Sequence, residues 1–554
     1  MPWSFSAPSM LVILGVYFAA MLALTTVLAP RTDAEGFIVA DRDVGFGWGA
    51  ASMSATWVWA ASMYAAATAA FTYGISGAFH YAFWGGLGLL FVWKYGQRVR
   101  RMVPYGHTFP EFVRSRHGRL SHGVVGIENY VNSQYSLIIN FTAGAAIISL
   151  FSPLAYEAAL AVTAVIVVGY SILSGIRASV VTDLVQVAAM VLVAAVAVPL
   201  VFFDAGGPQG FATALPRLGE QGRILSLQAF LGQGAPMMAL ILAYAFANPT
   251  VWQRIWAVRD WQLRGTFVTS GLMYTALTFS VGTFGFVALV GGLQPVDGDL
   301  NTIVPLVAAT YLPAAMAVPF LLLILAAITS TSDSDLAALS SMAMTDLWRG
   351  YVRPEAGDAE LKLVARLAMV GVAAVAVAVA ALRLDILTLI LVYGMVRAAS
   401  VFPIAASIVW DRVSNLGFSA GIVAGITLGL LSRLWSTPGA DGTSVLSRSP
   451  AAGLAFVAVS SLGAGVMVGC LAWPFARSRA AGWLGVVTTV AVLGVQLAAW
   501  PGLLTYNSIL STLTSLGVGM VVCLVASLLA GTRFDWAELD RRIRPLPSPT
   551  GEAT

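Results

Sequence analysis

Seven consecutive residues, Thr329-Ser330-Thr331-Ser332-Asp333-Ser334-Asp335, put five hydroxyls and two carboxylates in the middle of an apolar segment at 313–344. Hydrocarbon offers such groups no partner, so they persist at membrane depth where they face a cavity, an ion or each other. Hydroxyls shared between helices account for one or two of them, but not for two aspartates as well. The chemistry open to the run is cation handling. Hydroxyl oxygens suit a hard cation such as Na⁺. The carboxylates can draw a cation inward or carry a proton. Asp335 follows Thr331 and Ser332 at helical spacing and shares their face, and Asp333 lies one turn on from Ser330.

Arg397 is the second such residue, near the centre of an apolar segment at 384–409. It cannot readily snorkel from there, and an unpaired charge at that depth costs at least ~3 kcal/mol. Two partners are open to it: a structural ion pair with Asp333 or Asp335, or a solute carboxylate gripped bidentately. Trp57, Trp59, Tyr64 and Tyr244 are candidate cavity walls, set against the common role of membrane aromatics in packing and at interfaces.

The elements that must position these residues are membrane helices. Hydrophobic residues make up 58% of the 554, charged residues only 10%, and the mean hydropathy is +0.83. That composition lies far outside the soluble range. Apolar runs of roughly 20 residues recur, each long enough to cross a core of about 30 Å. About fifteen spans are read, near 8–29, 46–73, 78–97, 122–150, 156–174, 179–203, 227–247, 265–291, 313–344, 364–382, 384–409, 414–434, 452–475, 481–499 and 508–530. No Lys or Arg precedes the first run, so it reads as a retained helix rather than a signal peptide. The run Gly232-Gln233-Gly234-Ala235-Pro236 is expected to break the seventh span, whereas the second, with Ser52, Ser54 and Thr56, shows no break.

Basic residues gather in alternate loops, at Lys94–Arg119, Arg254–Arg264, Arg349–Arg366, Arg477–Arg479 and Arg533–Arg544. The positive-inside rule puts these loops and the C-terminus in the cytoplasm and the N-terminus outside. The net charge of +4 is thus topology and gives no sign of a nucleic-acid partner. Cys470 and Cys523 lie in apolar runs, and the four histidines lack metal spacing, so no cofactor or metal beyond a coupling ion is expected. No nucleotide-binding loop, soluble domain or obligate protein partner is read, and the charged tail after Gly531 is expected to be disordered.

Three ordered motifs then resemble the sodium:solute symporter family over roughly residues 40–415. Ser174-Gly175-Ile176-Arg177-Ala178-Ser179-Val180-Val181-Thr182-Asp183-Leu184-Val185-Gln186 is similar to its loop signature, departing at Ser174. Trp252-Gln253-Arg254-Ile255-Trp256-Ala257 is similar to its Gln-Arg motif, and Ser330-Thr331 precedes Ser340-Ser341 and Asp346-Leu347 at the family's spacing. Thr56-Trp57-Val58-Trp59, Tyr73-Gly74-Ile75-Ser76-Gly77 and His107-Thr108-Phe109-Pro110-Glu111 look most like the urea-transporting branch, and the likeness weakens at Ser62-Met63-Tyr64.

The resemblance implies an all-α polytopic membrane protein with a LeuT-like core of two inverted five-helix repeats. These would be 46–203 and 227–409, after a first helix and loop (1–45) and before accessory helices (414–530) and a tail (531–554). It implies Na⁺ held by Ser330 and Thr331 with carbonyls of Ala327, Ala55 and Val58, and ion release assisted by Asp183. It places Asn248 in the solute site, where Pro249 replaces the family's Gln, and adds Ser62 to Trp57, Trp59, Tyr244 and Arg397 as solute contacts. The expected activity is a plasma-membrane symporter for a small polar solute, driven by Na⁺ with H⁺ as an alternative. Urea leads as the solute, ahead of a small carboxylate or amino acid such as proline. The rival classes are a passive channel, which the hydroxyl pair speaks against, and a transporter-like sensor, for which the tail is too short. No nucleophile–base or metal constellation of an enzyme is present in the sequence.

Overall fold

The computed structural model describes residues 4–28, 33–383, 393–438, 444–476, 478–500 and 506–543. Among these there is no strand, only an isolated bridge between Val44 and Val258. Thirteen helices are long and apolar enough to cross a membrane. They coincide with thirteen of the fifteen expected spans. Of the other two, 384–409 is described only from Tyr393 to Val409, and 46–73 is two shorter helices.

That break corrects the sequence reading. The chain runs as α1 (Ala7–Leu28), α2 (Ala34–Val39), α3 (Phe46–Trp57), α4 (Ala60–Tyr73), α5 (Ile75–Met102), α6 (Phe109–His117) and α7 (Arg119–Phe151). Between α3 and α4, Val58 (φ −84°, ψ 74°) and Trp59 (φ −83°, ψ 154°) leave helical geometry. No Gly or Pro marks the place. In an unbroken helix the carbonyls of Ala55 and Thr56 would accept from the N–H of Trp59 and Ala60. Instead they accept from Ser330 Oγ at 2.9 Å and Thr331 Oγ1 at 3.0 Å. The break is held by another helix.

After α8 (Tyr156–Ser174) and α9 (Ile176–Asp204) comes the second broken span, and its break also lies elsewhere than expected. Phe230–Gly234 forms a single wide turn and the helix continues, so α10 runs Leu227–Phe246 with Pro236 in its interior. Helix ends at Ala247 and restarts as α11 (Pro249–Ala257). Asn248 caps α11, its Oδ1 accepting from Thr250 N at 2.9 Å. Pro249 falls at the first helical position, where a missing N–H costs nothing. The substitution of Pro for Gln thus has a local physical reason. Trp252 Nε1 donates to the Phe246 carbonyl at 2.7 Å and satisfies the end of α10 across the break.

The central helices form two groups. Alongside α3–α5, α10 and α11 stands α12 (Leu263–Val290), which packs on α3, α4 and α5. The other group is α7, α8, α13 (Ala317–Met342) and α14 (Asp358–Ala380), with α9 against both α3 and α13. Burial separates core from accessory helices: 72% of the apolar window of α7 lies inside the protein, against 11% for Ser478–Ala499. The inner ends of the two broken spans are tied together, Val44 N donating to Ala257 O at 3.0 Å and Arg259 N to Val44 O at 3.2 Å.

The start of the tail also departs from expectation. Phe534 N donates to Asp411 O at 2.9 Å, the Arg116 guanidinium sits 4.2 Å from the Phe534 ring, and Leu539 and Ile543 are buried. Two aromatics and two aliphatics among the charges supply enough apolar surface to dock this segment on the basic-loop side.

Candidate functional site

The polar run of α13 meets three different environments. Ser330 and Thr331 face the α3 break, and Ala327 O lies 3.4 and 3.2 Å from their hydroxyl oxygens. Two hydroxyls and the carbonyls of Ala55, Thr56 and Ala327 therefore converge. The set agrees with the expected one except that Thr56, rather than Val58, supplies the second α3 carbonyl in contact. It lies at the C-terminal, negative end of α3, which favours a cation.

Asp333 turns the other way. It accepts from Tyr170 Oη at 2.9 Å, Ser179 Oγ at 3.0 Å and Thr182 Oγ1 at 3.2 Å. Beside it Asp183 accepts from Ser52 Oγ at 2.6 Å. Arg254 completes this knot, a role the sequence reading did not assign. Its Nη2 lies within hydrogen-bonding reach of Ser334 Oγ at 2.6 Å, Thr56 Oγ1 at 2.9 Å, Ser52 Oγ at 3.1 Å and Ser179 Oγ at 3.2 Å, and 3.4 Å from Asp183 Oδ2. The cation paired with a buried aspartate, Asp183, is thus Arg254, not Arg397. The one signal in the sequence was the motif Trp252-Gln253-Arg254 itself, in a stretch read as a basic loop. Gln253 Nε2 bridges the Ile38 carbonyl at 2.9 Å and Ser341 Oγ at 3.0 Å.

Asp335 points into a cavity between the two helix groups, about 50 Å³ measured as the space a water's centre can occupy. Trp57, Trp59, Tyr244, Asn248, Asp335 and Arg397 line it, with Thr56 and Thr331 adjoining. Ser62 and Tyr64 do not. Ser62 Oγ donates to the Trp59 carbonyl at 2.8 Å and secures the start of α4, and Tyr64 is buried in the helix packing. Trp57 is fixed by its Nε1 donating to Gly85 O at 3.1 Å. Asp335 Oδ1 accepts from Ser133 Oγ at 2.6 Å, while Oδ2, with the Ser136 hydroxyl nearby, closes no hydrogen bond of good geometry among the described residues. The Arg397 guanidinium lies 3.7 Å from the Tyr393 ring centre and 4.7 Å from that of Tyr244. Among the described residues Arg397 forms no ion pair, so the expected pairing with Asp333 or Asp335 does not occur. The cavity therefore presents a carboxylate acceptor and a guanidinium donor that do not satisfy each other.

On the basic-loop side lies a second charged cluster. His107, fully buried before α6, sits 2.8 Å from Glu35 and 3.1 Å from Glu111. Burial disfavours its charged ring, but the two carboxylates prevail and hold its pKa at about 9. Glu35, which also pairs with Arg42 at 2.6 Å, is correspondingly lowered to about 2 against the opposing effect of burial.

The sodium:solute symporter family profile matches residues 37–425. Probable urea active transporter 1 of Schizosaccharomyces pombe is 25% identical over 458 residues, 76% of this chain and 68% of that protein. Urea-proton symporter DUR3 of Oryza sativa subsp. japonica is 25% identical over 468 residues, 76% of this chain and 64% of that protein. Osmoregulated proline transporter OpuE of Bacillus subtilis is 27% identical over 323 residues, 55% of this chain and 62% of that protein. Matches to these relatives thus span about two thirds of their length. Among solved structures, a substrate-bound, outward-open Na⁺-coupled sialic acid symporter shares the fold. Its TM-score is 0.63 at 16% identity, covering 89% of this chain and 98% of that one.

Proposed function

This chain belongs to the sodium:solute symporter family, and we propose that it brings urea into the cell, driven by an inward cation gradient across the plasma membrane. The observation that carries this reading is Thr331. Its hydroxyl meets the Thr56 carbonyl at the α3 break, and the same residue lines the solute cavity. Ion and solute sites thus share a residue, so occupancy of one bears on the shape of the other.

Na⁺, the cargo ion, is held by Ser330 and Thr331 with the carbonyls of Ala55, Thr56 and Ala327. The solute lies in the cavity. Urea carries N–H donors on one side and a carbonyl acceptor on the other, which complements Asp335 Oδ2 and the Arg397 guanidinium. Its carbonyl also faces the N-terminus of α11 at Asn248, the positive end of that half-helix. Asp335 would repel a simple carboxylate, so small carboxylate anions fit less well than the sequence reading allowed. An amino-acid zwitterion satisfies both charges and is the second reading, in keeping with the proline-transporting relative.

Basic loops, the C-terminus and the His107 cluster are placed in the cytoplasm and the N-terminus outside. One positive charge entering at 100 mV contributes about 2.3 kcal/mol, roughly fiftyfold in accumulation. The test is uptake of labelled urea, proline and acetate into proteoliposomes under imposed Na⁺, pH and voltage gradients. Saturable urea accumulation that collapses with the gradient is expected. Urea flux that ignores every gradient would establish a channel instead, and accumulation of proline in place of urea would establish the zwitterion reading.

A further inference from the structure

Helix α7 carries Glu128, Asn132, Ser136 and Asn140 at intervals of four residues, all of them buried. Four-residue spacing stacks them along one face. Ser136 lines the solute cavity, and Glu128 lies two turns, about 12 Å, nearer the basic-loop end of the helix. Glu128 is 5% exposed; among the described residues the Ser400 hydroxyl faces its carboxylate, and neither oxygen closes a hydrogen bond of good geometry. Among the described residues the amide oxygen and nitrogen of Asn129 and of Asn132 also lack partners. Native interiors pair nearly all such atoms, so six unpaired ones in little more than a turn mark a stretch that water reaches. The charged group acting on Glu128 is Arg397, with the Ser400 hydroxyl alongside. Ser400 itself donates to the Arg397 carbonyl at 2.9 Å. Arg397 in turn faces Asp335, Tyr135 and Tyr244.

We infer that Glu128 is a proton-carrying residue of the transport cycle and that the polar face of α7, through Asn132 and Ser136, connects it to the solute cavity. The inference rests on the symport reading and adds the ion to it. A buried carboxylate is costly at this depth whenever the guanidinium is engaged elsewhere, whereas a carboxylic acid is neutral. Glu128 takes a proton from water on the cavity side while Arg397 is engaged with the solute. When the solute leaves, the guanidinium is free to face Glu128. The acid then gives its proton to water at the basic-loop end of α7 and remains as a carboxylate beside Arg397. One proton enters per solute, beside any Na⁺ carried at Ser330 and Thr331. A metal cation at Glu128 is disfavoured by the adjacent guanidinium.

The test uses the full chain in proteoliposomes without Na⁺, with the outside one pH unit more acidic. Wild type should accumulate urea up to about tenfold at one proton per urea, since one pH unit is 1.4 kcal/mol. Glu128→Gln should bring accumulation to the equilibrium level while urea still exchanges across the membrane. Pronounced pH-driven accumulation by a folded Glu128→Gln overturns the proposal. So does wild-type accumulation driven by Na⁺ alone and indifferent to pH, which leaves the symport reading standing. No wild-type urea uptake under any gradient removes both. A measurement on wild type alone covers a variant that fails to assemble. Dicyclohexylcarbodiimide attacks protonated buried carboxyls, so peptide mapping should find the adduct on Glu128, diminishing as pH rises. Absence of that adduct in folded protein also overturns the proposal.

Discussion

Replacing Arg254 by Met removes the one cation of the α3–α9–α13 knot. The side chain is 1% exposed, Asp183 is 0% and Asp333 1% exposed, so water cannot take over its role. Its Nη2 alone meets four hydroxyls and lies 3.4 Å from Asp183. Without it, two carboxylates share the Ser179 hydroxyl with no positive charge beside them. Breaking one partner of a buried pair costs about 3–5 kcal/mol, roughly a hundred- to several-thousand-fold in the folding equilibrium. Arg254→Lys should be intermediate, because a point ammonium cannot reach every hydroxyl the planar fork spans. Asp183→Asn combined with Arg254→Met should recover a large part of the loss, and Asp333→Asn less, since only Asp183 lies within ion-pair distance. Denaturant unfolding of the purified variants in detergent measures the cycle, with uptake followed in parallel. If Arg254→Met is as stable as wild type, or Asp183→Asn deepens the loss, the knot is not held by this charge.

Three further perturbations follow from the same geometry. Ser330→Ala with Thr331→Ala should reduce sodium-stimulated uptake at least ~10-fold, since contacts to a charged partner are worth about 1.5–3 kcal/mol each; an unchanged sodium dependence would sink the ion-site assignment. Arg397→Gln should abolish urea accumulation with little loss of stability, because the guanidinium breaks no ion pair on leaving, and a strongly destabilised variant would show that its role is structural. At the inner cluster, His107 has a folded pKa of about 9, raised above the ordinary 6.5, so its contribution is fully present below about pH 6.5 and is lost as pH rises through 9. The wild-type advantage in unfolding over His107→Gln should therefore shrink across that window, and an advantage that grows toward pH 9 would refute the charge assignment.

Much of this was legible in the sequence because the bilayer enforces it. Length and hydropathy specify spans wherever twenty apolar residues run together, and a hydroxyl–carboxylate run at mid-span has no quiet explanation in hydrocarbon. The breaks were not legible in the same way. Gly232 to Pro236 is the strongest breaker cluster in its span, yet it yields a wide turn inside a continuing helix. The actual stop carries a quieter local signature, Asn at the cap and Pro at the first helical position, which reads as a helix start once Asn248-Pro249 is taken together. Glu128, and the role of Arg254 within its Gln-Arg motif, were illegible for another reason. Each lies in a stretch counted as ordinary span or loop, and only the fold shows which of their atoms meet partners.

At Val58–Trp59 no local rule would have sufficed. Val and Trp are ordinary helix residues there, and what they give up by leaving the helix is returned from α13, two hundred and seventy-five residues away, by the hydroxyls on Ala55 and Thr56. That exchange has a functional edge. The oxygens that satisfy the broken end of α3 are the same ones available to a cation, so a bound ion competes for the groups that hold α3 against α13. Thr331 carries any resulting shift to the cavity wall, where Trp57 and Trp59 flank the break. A break maintained by local sequence alone would be indifferent to the ion. One maintained across two helix groups makes ion occupancy and cavity shape a single equilibrium, which is what coupling requires.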